Sequence, residues 1–181
     1  TSPALQPLFA ARISLAKSID PLATGQSLPP GTERDPGYVF NRVRWLRTSG
    51  QWDAAAQLLA TRPPLSAPAT DPRRWVAELL AVARRSGDSG AVRIAASIDD
   101  AFVPGADISA MAYALRDDYT SLMWLGGTKA LWSLGDGARA APLFWRYGAA
   151  ARTPQTRAKG FYWAGRALSQ ADPLFHHRLR P

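Results

Sequence analysis

The chain contains no cysteine, which removes disulfides and thiolate metal sites from consideration at once. It leaves the compartment open, because exported bacterial proteins also do without the residue. Only two glutamates occur, Glu33 and Glu78, and only two histidines, the adjacent His176 and His177. Acid–base and metal chemistry therefore have few candidates. No apolar run approaches the roughly eighteen residues of a membrane span. The N-terminal stretch lacks a basic-then-apolar secretion signal, so the sequence reads as cytosolic or as an already trimmed mature form.

Arginine is abundant. Nineteen arginines and three lysines face 14 acids, for a net charge of +8 over 181 residues. A positive surface favours polyanions, acidic polymers or acidic partners. Codon composition of the source genome is an equal explanation of the arginine and alanine excess. Hydrophobic residues make up 46% of the chain, enough for a folded core and too many for a disordered polymer.

Residues 3–18 place Leu5, Leu8, Phe9, Ile13 and Leu15 at helical spacing, with Pro7 near the start. Prolines and glycines make 20–34 a connection. Asp35-Pro36 opens a helix bearing Tyr38, Val39, Val43, Trp45 and Leu46, which ends at Ser49-Gly50. A second helix follows with Ala54, Ala55, Leu58 and Leu59. The proline-rich 61–70 segment is not helical. Asp71-Pro72 opens the next helix, with Trp75, Leu79, Leu80, Val82 and Ala83, and another short one follows Ser86-Gly87. Residues 99–117 read as a long connection with one helical turn near Met111 to Leu115. Asp117 or Asp118 then caps a helix from about Tyr119.

From Tyr119 to Gln170 the periodicity predicts three helices in a row. The first stops at Gly135-Asp136-Gly137, and the third starts at Thr153-Pro154, a capping side chain followed by a proline that costs no donor. Phe161, Trp163, Ala164, Ala167 and Leu168 predict a buried stripe with Trp163 in the core. Asp172-Pro173 repeats the opening signal, with too few residues after it for another helix pair.

Three segments resemble one another: RTSGQWDAAAQLL, RRSGDSGAVRIAA and SLGDGARAAPLFW. Each is a helix end, a glycine turn and a small-residue helix start. Their unequal spacing argues for a loose superhelix of helix pairs rather than a strict tetratricopeptide array. No stretch alternates as a strand does. The fold class predicted is all-α, an irregular, tetratricopeptide-like solenoid of antiparallel helix pairs filling 1–181, with 1–34 an N-terminal helix and connection and 35–181 the pairs.

Glu33 lies in a proline-flanked connection and Glu78 in mid-helix, where exposure or pairing with an arginine fits better than catalysis. Asp99-Asp100 and Asp117-Asp118 read as caps at helix borders. His176 and His177 are sequence neighbours, cannot meet one metal in the i, i+4 manner, and read as a surface tail. Neither a catalytic residue, a metal site nor a cofactor is assigned. Seven tryptophans could stack on sugars or on bases, but Trp45, Trp75, Trp132 and Trp163 carry apolar neighbours and read as core.

The strings DPGYVFNRVRWLRTSGQWDAAAQLLA and TPQTRAKGFYWAGRAL resemble the helical superstructure of soluble lytic murein transglycosylases. The likeness rests on Asp35-Pro36-Gly37, Arg42 through Arg47, Gly135 to Ala141, Thr153-Pro154 and Tyr162 to Ala167, within residues 33–173. It implies a periplasmic protein of the bacterial cell wall, with association to the outer membrane as one arrangement. Such enzymes cleave between N-acetylmuramic acid and N-acetylglucosamine, leaving an anhydro product, with a glutamate-serine pair in a separate C-terminal lysozyme-like domain. No such pair stands in this chain. The expected role is therefore positioning on peptidoglycan strands, with the enzyme's own catalytic domain as a further partner and nucleic acid not expected. Arg42, Arg44, Arg116, Arg157 and Arg166, beside the helix stripes, are the candidate substrate-binding residues. The alternative is a free-standing helical scaffold that binds a protein or acidic partner and is not an enzyme.

Overall fold

Aspartate followed by proline or glycine sets where the main helices begin. In a computed structural model, which describes residues 3–171, Asp35 accepts the Tyr38 amide (2.7 Å). Asp71 accepts that of Arg74 (3.0 Å) and Asp136 that of Arg139 (2.9 Å). Each carboxylate satisfies one orphan donor of a first turn and sits at the positive end of the helix dipole. Thr153 does the same for the last helix through its hydroxyl.

The described residues are all-α, with eight α-helices and no strand: α1 Gln6–Ala16, α2 Pro36–Thr48, α3 Trp52–Thr61, α4 Pro72–Ala83, α5 Asp88–Ala96, α6 Tyr113–Thr128, α7 Gly137–Ala150 and α8 Pro154–Ala171. A π-helical turn, Lys129–Ser133, widens the end of α6. The helices pack as a bundle. Helix α1 lies on α2, α3 on α5, α6 on both α4 and α5, and α7 between α6 and α8. One continuous core runs from Ala11 to Ala167, with Trp75, Leu79, Ile94, Leu122, Met123 and Phe144 among its most deeply buried side chains.

Helix α8 crosses α7 antiparallel at backbone contact. A Cβ on Gly160 would come within 2.5 Å of Gly148, so only small residues fit between the two. The face of α8 turned inward is Gly160, Ala164 and Ala167. This corrects the expected stripe. Trp163 is half-buried at the side of the contact, and Leu168 is exposed, because the crossing is too close for a large side chain.

Other sequence expectations also change. Helix α6 begins at Tyr113, six residues before the expected start. Leu115, Tyr119 and Leu122 share its buried face, so Asp117 and Asp118 lie within the helix rather than capping it. Asp99 and Asp100 do not cap either. Asp100 accepts both terminal nitrogens of Arg62 (2.7 and 2.9 Å) and the Leu65 amide (2.9 Å), which ties down the proline-rich connection. On α1, Ala11 and Leu15 are buried while Phe9 and Ile13 point outward, as does Leu5 just before it. The expectations for Asp172-Pro173, His176 and His177 lie outside the described residues.

Candidate functional site

One cleft, about 410 Å³, opens between the 102–108 segment and α7. Gly105 makes it possible: at φ +79° it holds a left-handed turn that side chains resist, and the Ala106 amide closes back on the Val103 carbonyl (3.1 Å). Asp107 then accepts from both the amide and the hydroxyl of Ser109 (2.9 and 2.7 Å), which starts a 3₁₀ turn. Those bonds hold its carboxyl below the usual aspartate range.

Tyr119 from α6 and Phe102 form the inner wall, packed edge to face with centroids 6.0 Å apart. Asp99 joins the two sides. One of its oxygens accepts the Tyr119 hydroxyl (2.9 Å) and the other meets Nε of Arg146 on α7 (2.9 Å). Burial of Tyr119, followed by the nearby Asp99 charge, pushes the phenol's pKa far up, so it stays a donor. At the mouth stands Trp145, 60% exposed. Its ring rests on Phe161 of α8, with centroids 4.7 Å apart.

This arrangement has a chemical meaning. A flat, exposed indole offers an apolar platform, and a carboxylate and guanidinium held in fixed orientation beside it can accept from and donate to hydroxyl groups. The pair is internally neutral and Asp107 adds a further carboxylate to the lining, so the cleft suits an uncharged, hydroxyl-rich ligand better than an anion.

A second group of aromatic rings lies where α6, α7 and α8 meet. Trp132, on the π turn, meets Trp163 edge to face at 5.0 Å. Lys159 holds its ammonium 3.6 Å from the centre of the Trp124 ring. Trp132 was expected in the core, but the structure leaves it 56% exposed. Trp75 is buried as expected, and Trp45 half-buried.

The five candidate arginines are not gathered in one place. Arg42 is paired with Asp20 and stands 4.8 Å over Trp45. Arg44, on the same helix, lines a different cleft beside α4. Arg116 and Arg157 converge on the α7–α8 turn. The first shares a hollow with Ala151 and Thr153, and the second donates to the Ala151 carbonyl (3.2 Å). Arg166 is exposed on α8.

Sequence reasoning passed over Trp145, Arg146 and the bridging role of Asp99. A helical wheel carried the signal for Trp145: Leu143 and Phe144 occupy the buried face of α7, which leaves the next residue outside. The Asp99–Tyr119 contact depends on the path of the 98–112 connection and has no local signature.

Glu33 is exposed, and Glu78 is buried against Arg47. Among the described residues, no group of three or more histidine, cysteine or acidic side chains is placed to hold a metal. No helix described is long and apolar enough to cross a membrane. Comparison with protein-family models, with curated proteins and with solved structures finds no match to this chain.

Proposed function

We propose that this chain is the superhelical, non-catalytic arm of a peptidoglycan lytic transglycosylase, working in the bacterial periplasm, in association with the outer membrane, to seat the enzyme on glycan strands. On this reading the helix pairs form an irregular solenoid, and cleavage between N-acetylmuramic acid and N-acetylglucosamine belongs to a separate lysozyme-like domain, itself a partner of the arm. The observation that carries the proposal is Trp145, exposed at the mouth of a cleft whose Asp99–Arg146 pair is fixed and neutral. Sugars present an apolar C–H face beside equatorial hydroxyls, and both parts meet a complement there.

The segments behind the family resemblance give it a second support. Asp35 caps α2, and the Tyr162 to Ala167 string forms the part of α8 that docks small residues on α7.

A free-standing scaffold is the competing reading, and the outward row of Leu5, Phe9 and Ile13 at and before α1 favours it. Titration with N-acetylglucosamine oligomers, followed by tryptophan fluorescence, separates the two. Saturable binding that is lost in Trp145→Ala supports the glycan arm. Absence of binding, or equal binding by the variant, refutes it.

A further inference from the structure

A second cleft, about 320 Å³, lies between the end of α1, the first turns of α2 and the start of α4. Its α2 wall is Gly37, Phe40, Asn41 and Arg44, spaced three and four residues apart and therefore on one helix face. The opposite wall is Asp71, Arg74 and Trp75. Phe40 and Trp75, with ring centroids 6.1 Å apart, make an apolar floor. Trp75 is 1% exposed and its indole N–H has no hydrogen-bond partner.

The charges here differ from those beside Trp145. Arg12, whose guanidinium lies against Gly37, is neutralised by Asp35. Asp71 is committed to the α4 cap. Arg44 and Arg74 have no carboxylate within ion-pair distance among the described residues, and Arg74 is held 5.3 Å over the Phe40 ring. Two guanidiniums against the single Asp71 carboxylate thus leave a net positive rim around an aromatic floor. A guanidinium presents paired donors that match a carboxylate's two oxygens, and the volume suits a dipeptide rather than a stacked nucleic-acid strand.

We infer that this cleft binds the free C-terminal carboxylate of a short peptide, with the adjoining small apolar side chain resting on Phe40, which Trp75 backs from the core. The inference rests on the peptidoglycan reading only for the ligand's source, the wall's peptide stems. It adds a carboxylate-binding site to the glycan cleft, so that one arm would hold both components of the wall.

The test uses the whole chain at low salt and, as probes, N-acetyl-alanyl-alanine as its free acid and as its C-terminal amide. The acid should bind saturably in an NMR titration, with the amide weaker by about tenfold, the loss of one charge-assisted contact. Arg44→Ala and Arg74→Ala should each weaken the acid by about the same factor. Both arginines are exposed, so melting should be unchanged, and Trp145→Ala should bind the acid normally. Equal affinity for acid and amide overturns the inference. So does indifference to both arginine variants, absence of saturable binding, or displacement by equimolar inorganic phosphate, which would indicate a general anion site. N-acetylglucosamine oligomers titrated in parallel separate the claims: sugar bound without peptide refutes this inference alone, and peptide bound without sugar refutes the glycan reading alone.

Discussion

Arg47 of α2 and Glu78 of α4 form a two-point ion pair across the helix interface, with the second contact, Nη2 to Oε2, at 3.2 Å. The hydrogen bond that Arg47 donates to Glu78 pushes the Arg47 pKa further up, and Glu78 is only 7% exposed. Trp52 flanks the guanidinium, 5.9 Å from it, and Arg85 stands 4.4 Å over the same ring. Glu78 thus joins α4 to α2.

Removing Arg47 alone strands a buried carboxylate. Arg47→Met should destabilise the fold by about 3 kcal/mol, whereas Arg47→Met with Glu78→Met should recover most of that, because an apolar pair removes the buried charge as well. Urea unfolding of the two variants checks this. A double variant no more stable than the single one would contradict it.

Two glycines of α8 should respond in opposite directions. At Gly160 an added methyl meets the backbone of Gly148, but at Gly165 it meets nothing within 4 Å. Gly160→Ala should cost about 2 kcal/mol or more, since backbone must move to relieve the overlap. Gly165→Ala should add about 0.5–1 kcal/mol of helix propensity. Thermal melts that rank them the other way would undo the account of the α7–α8 crossing.

Helix starts were legible because Asp35, Asp71 and Asp136 announce themselves locally, each with proline or glycine next. The π turn after α6 was not, nor was the early start at Tyr113, because the packing of Leu115 and Tyr119 overrides the acids at 117 and 118. Tryptophan burial was partly legible. Trp75 follows its stripe, but the stripe through Trp163 fails, since spacing alone cannot reveal how close two helices approach. The Trp145 cleft is tertiary, assembled from residues 99 to 150, and only the outward position of Trp145 was written locally.

Three tryptophans should therefore separate by burial. Trp75→Ala should cost about 3–5 kcal/mol, the range for emptying a core aromatic site. Trp163→Ala should cost less, about 1–3 kcal/mol, because its site is open on one side. Trp145→Ala should stay within about 1 kcal/mol, its main loss being the stack on Phe161. Denaturant midpoints with unchanged slopes would read the ranking directly.

Acid sensitivity follows from carboxylates held below their ordinary values. A 2.7 Å contact with Lys129 lowers the pKa of Asp88 from the ordinary aspartate value of 3.8, and Ser109 lowers that of Asp107. A depressed folded pKa gives stability that is present above the unfolded value and lost as pH falls through the folded one. Melting temperature should thus hold level from neutrality to about pH 5 and fall below about pH 4. Asp88→Asn should lower the plateau slightly and flatten the fall, more visibly at low salt. An identical pH profile for the variant would show that the Asp88–Lys129 contact contributes nothing.

If the bundle recognises glycan through the Trp145 cleft, as proposed, it should sediment with insoluble peptidoglycan even when excess DNA is present. A net charge of +8 attracts either polymer, and both attractions weaken with salt, so the competition carries the information. Retention on the wall material despite the DNA, reduced in Trp145→Ala, is the predicted result. Release of the protein by DNA, failure to sediment at all, or full retention of the variant would contradict the claim.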